Sequence, residues 1–90
     1  MPYIKQDDRI NFDELEISLE ESGIDTAGEL QYVISLAIKE FMLDKPYRYQ
    51  TMNDVMGALN GANLEYYRRV VAPYEDQCIE KNGDIEGYGE

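Results

Sequence analysis

The side chains best equipped for chemistry in this chain lie between Leu59 and Asn82. Tyr66-Tyr67-Arg68-Arg69 sets two cations side by side in a protein with 19 acids, 8 Lys and Arg, and a net charge of −11. Paired guanidinium groups suit oxyanions, so the chemistry on offer is a phosphate or carboxylate clamp. Consecutive residues on a helix point about 100° apart, which makes it hard for both arginines to share one ligand. The structural alternative has Glu65 paired with Arg69 at i+4 and the arginines meeting the acidic first helix or the tail. Tyr and Arg are also enriched at interface centres, and Tyr66 and Tyr67 are assigned there.

The other reactive groups offer less. Carboxylates alone can hold magnesium. Asp13, Glu16 and Glu20 share one helical face, and Glu40 and Asp44 share another. Neither set reproduces the Glu-x-x-Glu and Glu-x-x-Asp pairs with which small all-helical nucleotide pyrophosphohydrolases bind the ion. Cys78 is the one cysteine and histidine is absent. That removes an intrachain disulfide, the commonest zinc ligand and the usual general base near neutral pH. Glu75, Asp76 and Glu80 around Cys78 disfavour a thiolate. Gly57 and Gly61 lack the preceding strand and following lysine of a phosphate loop. No catalytic residue, cofactor or metal ligand is assigned.

Helices must position these groups. Phe12, Leu15 and Leu19 mark one narrow stripe on an acidic helix over Asp13 to Ser22, closed by Gly23. The stretch before it, Met1 to Ile10, is short and polar; Pro2 disfavours an early helix beyond its first turn, and Asp7 or Asp8 is a candidate helix cap. Thr26-Ala-Gly-Glu29 is a capping box that opens a second helix over Ala27 to Asp44. Leu30, Val33, Ile34, Ala37, Ile38 and Phe41 follow the i, i+3, i+4, i+7 spacing. Tyr32, Leu36 and Leu43 fall outside that stripe, so this helix is apolar on a second side. Asp44-Lys-Pro46 ends it, and Tyr47-Arg-Tyr-Gln50 reads as an aromatic loop. Thr51 to Asp54 is a weaker cap for a third helix over Met52 to Val71, continuous through Asn60-Gly61. Pro73 either kinks that helix or takes the first turn of a new one over Tyr74 to Lys81. Asn82-Gly83 stops it. Residues 1–84 make one helical domain, and residues 85–90 an acidic flexible tail.

The fold class is therefore all-α: three to four helices in a small bundle. A chain of 90 residues buries only about 60–65% of its unfolded surface, and its core is marginal. With no disulfide or metal to help, oligomerisation completes the bundle through Tyr32, Leu36, Leu43, Tyr66 and Tyr67. Arg68, Arg69, Pro73, Tyr74, Glu75 and Asp76 form a structural cluster across the proline.

Charge bounds the partners. Met1 to Glu29 holds nine acids against Lys5 and Arg9, Leu30 to Ala72 is nearly balanced, and Pro73 to Glu90 holds six acids against Lys81. A backbone-binding nucleic-acid protein needs a basic footprint, so direct nucleic-acid contact is not expected. No apolar run approaches the ~20 residues of a membrane span. The first residues lack the apolar core of a signal peptide, and a free cysteine fits a reducing cytoplasm. Crowded carboxylates with no cation near are expected to titrate above their ordinary values, so that stability grows on mild acidification.

Tyr67-Arg-Arg-Val-Val-Ala-Pro-Tyr-Glu-Asp76 resembles a family of short, uncharacterised proteins of bacteria, archaea and bacteriophages. Met1-Pro-Tyr-Ile4, Gly28-Glu-Leu-Gln-Tyr-Val-Ile34 and Asn82-Gly-Asp84 extend the resemblance nearly end to end. Cys78 and the residues after Asp84 depart from it. The resemblance implies a phage or microbial origin and no particular activity. Three functions stay open: an oligomeric interaction protein that meets a host partner, an acidic mimic of DNA occupying the basic site of a host protein, and a metal-dependent nucleotide hydrolase.

Overall fold

A computed structural model describes residues 2–89. Met1 of the Met1-Pro-Tyr-Ile4 start and Glu90 of the tail lie outside the described residues. Every regular element among the described residues is a helix, with no strand among them. It divides into two units, one of residues 3–56 and one of Pro2 with residues 57–89.

The first unit opens with α1 (Gln6–Arg9), a 3-10 turn (Ile10–Phe12) and α2 (Asp13–Ser22). Helical turns thus precede Asp13, beginning at Gln6 beside Asp7 and Asp8. Asp7 and Asp8 occupy the first turn of α1 and Arg9 the last, the charge order that the helix dipole favours. Arg9 Nε also donates to the Ile4 carbonyl at 3.0 Å and ties the incoming strand of chain to the helix. Gly23 ends α2 in the left-handed conformation, φ 66°, where a Cβ would be strained.

Next comes α3 (Ala27–Met42), opened by the expected capping box. The Glu29 N–H donates to Thr26 Oγ1 at 3.1 Å, and Glu29 Oε1 accepts from the Thr26 N–H at 2.8 Å and the Asp25 N–H at 3.2 Å. Lys45 closes the other end: its ammonium donates to the Phe41 carbonyl at 2.7 Å and sits 3.9 Å from the Phe41 ring centroid. A cation on the last free carbonyls complements the dipole.

The backbone N–H of Thr26, then its hydroxyl, then the Asp25 N–H hold the Glu29 carboxyl below its ordinary value of 4.5. This direction opposes the rise expected from charge crowding. A carboxyl with a depressed folded pKa contributes stability above its unfolded pKa, and that contribution is lost as pH falls through the folded value. Thr26→Ala is expected to cost about 1 kcal/mol at pH 7. Part of that difference should vanish as pH drops below 4.5, the ordinary value. Urea unfolding of both proteins at pH 7 and in acid checks it. A gap that ignores pH would mean Glu29 does not act through the cap.

Tyr49–Tyr66 forms α4, which starts in the first unit and runs into the second. It begins earlier than Met52, so Thr51 lies inside the helix rather than at its N-cap, and its one hydroxyl proton is shared between the carbonyls of Arg48 at 2.8 Å and Pro46 at 2.7 Å. Asn60-Gly61 passes within α4 without a turn. The second unit continues with a π-helical turn (Tyr67–Val71) and α5 (Ala72–Asn82). Pro73 lies in the first turn of α5, where its missing N–H is least costly. Gly83, φ 93°, ends α5, and its N–H donates to the Ile79 carbonyl at 2.8 Å.

Among the described residues none is buried in either unit. Leu19, Ile24, Val33, Ile38 and Met42 are half-buried in the first unit, and Leu59, Val71 and Cys78 in the second. The rest of the α3 stripe stays open, with Leu30 at 51%, Ile34 at 37% and Phe41 at 41% exposure.

Candidate binding site at the helical break

The Tyr67–Val71 turn departs from the α-helix by one residue. The Ala72 N–H donates to the Tyr67 carbonyl, five residues back rather than four. Such a turn works as a single inserted residue, and it precedes a proline that an α-helix would tolerate badly. Everything after it is set back by about one residue, roughly 100°. Tyr67 and Glu75, eight apart in sequence, thereby share a face as an i, i+7 pair would in an unbroken helix. The contact follows: Tyr67 OH donates to Glu75 Oε1. That bond first, then the Glu75 charge, pushes the Tyr67 phenol above its ordinary value of 10.0. Tyr67 is accordingly a neutral donor over the whole physiological range.

The two arginines part company. Arg68 Nη2 pairs with Glu65 Oε1 at i, i+3, with Glu65 mostly covered and Arg68 exposed. Glu65 thus pairs with Arg68, where the sequence pointed to Arg69. No side-chain hydrogen bond or ion pair joins the Arg69 guanidinium to another described residue. Tyr66 and Tyr67 are both exposed, and Pro73 separates the π turn from Tyr74, Glu75 and Asp76 on α5.

A groove of about 660 Å³ opens beside this break. Tyr67, Tyr74 and Tyr88 line it together with Glu75, Asp76 and Asp84, and no Lys or Arg does. The segment after α5 supplies two of these groups by folding back in a turn, where the Tyr88 N–H donates to the Ile85 carbonyl at 3.0 Å. Asp84 Oδ1 accepts from the Ile85 N–H at 2.7 Å. A Cβ at Gly89 would stand 2.6 Å from Asp84 Oδ2, so a glycine lets the turn close on the carboxylate. The sequence reading missed Tyr88 and Asp84 as site residues; the glycines around Tyr88 were the available sign of a turn.

The first unit has a groove of its own, about 560 Å³, at the α2–α3 corner. Ile24, Tyr32, Val33 and Leu36 supply its apolar lining. It brings together Tyr32 and Leu36, whereas Leu43, 74% exposed, follows the far end of α3. Among the described residues no three His, Cys, Asp or Glu side chains group to hold a metal ion. No described helix is long and apolar enough to cross a membrane.

These helices, with their apolar stripes and open grooves, make the described residues all-helical. The chain belongs to the family described as Domain of unknown function (DUF6899), whose profile matches residues 1–85. No curated protein and no solved structure matches it.

Proposed function

We propose that this protein is a non-enzymatic, homo-oligomeric interaction protein of microbial or phage cytoplasm, a two-fold dimer in the simplest case, that engages a host protein. One observation carries the reading: among the described residues neither unit buries a side chain, although α3 presents a regular apolar stripe and a second apolar side. Apolar area left in water forfeits about 25 cal/mol per Å², and a second copy supplies the cover that one chain lacks. Tyr32, Leu36 and Leu43 are the contact residues of the first unit, and Tyr66 and Tyr67 those of the second.

Sedimentation equilibrium at micromolar concentration tests it. A mass of two or more chains supports the reading. A single-chain mass means that the apolar faces close within one molecule, and it overturns the oligomer.

A further inference from the structure

We propose that the groove beside the π turn is a receptor for an arginine side chain presented by a partner protein. This rests on the reading of the chain as an interaction protein and names the chemistry of what it meets. Three phenol rings and three carboxylates line the groove, and no resident cation competes for them. Tyrosine faces attract cations, and carboxylates pair with them.

A bare metal ion is a poor occupant, because these carboxylates are not grouped tightly enough to coordinate one. Dispersed acids among aromatic rings suit an extended, flat cation. Guanidinium is planar, stacks on aromatic faces and is weakly hydrated, whereas an ammonium is compact and strongly hydrated. The bond from Tyr67 takes up Glu75 Oε1 and leaves Oε2 as an acceptor. Arg68 is engaged with Glu65, and neither it nor Arg69 lines the groove, so the occupant is assigned to a partner protein.

The probe is a fluorescein-labelled peptide of alternating glycine and arginine, compared with its lysine counterpart by anisotropy at about 0.15 M salt, where diffuse attraction is screened. The arginine peptide is expected to bind at least about threefold more tightly than the lysine peptide. Tyr74→Leu and Tyr88→Leu keep apolar bulk and net charge but remove a ring face, and each is expected to weaken binding about fivefold. Circular dichroism confirms that helix content is kept. Asp76→Asn should weaken binding similarly, and Asp13→Asn on α2, the same change of charge away from the groove, should not.

Two results overturn the site: equal effects of Asp76→Asn and Asp13→Asn, or binding that survives both tyrosine replacements. Either would show that an acidic surface attracts a basic peptide without a receptor. Sedimentation of the same samples keeps the two proposals apart. A single-chain species that still binds defeats only the oligomer, and an oligomer that ignores the peptide defeats only the groove.

Discussion

Leu36→Glu is expected to take the assembly apart without unwinding α3. Leu36 lies beside Ile24, Tyr32 and Val33 in the α2–α3 groove and is 41% exposed. Glutamate is a good helix former, so the substitution leaves the backbone's preference intact. It places a carboxylate where a second copy would need apolar contact. Losing a central interface side chain costs at least about 2 kcal/mol, roughly 30-fold in Kd, and a buried unpaired charge adds to that. Sedimentation should show a shift towards the single chain, with circular dichroism unchanged. Gln31→Glu puts the same charge on the same helix about 140° round and should leave the mass alone. Equal effects of the two would place the interface elsewhere.

Shortening the π turn by one residue is expected to expose its purpose. Deleting Val70 removes a half-exposed side chain and restores the α-helical register. Pro73 then stands in a helix interior, with its ring against the carbonyl of Arg68, now four residues back. The expected cost is about 3 kcal/mol. Combining the deletion with Pro73→Ala should recover most of that loss. The Tyr67–Glu75 pair survives in the double variant, since seven positions in an unbroken helix also share a face. Pro73→Ala alone should change stability by less than about 1 kcal/mol, because a residue in the first turn needs no intrahelical donor. Chemical denaturation of the three variants gives the coupling. Additive effects would mean that turn and proline are independent.

The parts legible beforehand are those where one residue type answers one backbone need. Gly23 and Gly83 sit at positive φ at the ends of helices, and Thr26 with Glu29 completes a reciprocal cap. Thr51 shows the limit of that logic: a hydroxyl can donate as well as accept, and Thr51 donates from inside a helix that starts at Tyr49. The turns before Asp13 carry no apolar stripe, only a favourable order of charge, so periodicity had nothing to register. The π turn is invisible to periodicity for another reason. It changes the hydrogen-bond count without changing which residue types are present, and Pro73 was the one mark it left. At the candidate site, Tyr74, Glu75 and Asp76 were singled out as parts of a cluster, and the structure places them with Tyr67 along one groove. Tyr88 and Asp84 were set aside because a Gly- and acid-rich end reads as frayed, whereas a turn folds them onto α5.

The lack of a buried side chain among the described residues also bears on how long such a chain lasts in a cell. Its longest described helices have 16 and 18 residues, near the length at which isolated helices become marginally stable in water. Caps and ladders alone leave such segments opening often, and opened segments are what proteases cut. Association removes that opening in proportion to the concentration of partner. A chain that associates as proposed would be degraded when scarce and persist when abundant. Its level would then follow a threshold of dosage, with a small rise in synthesis giving a disproportionate rise in folded protein.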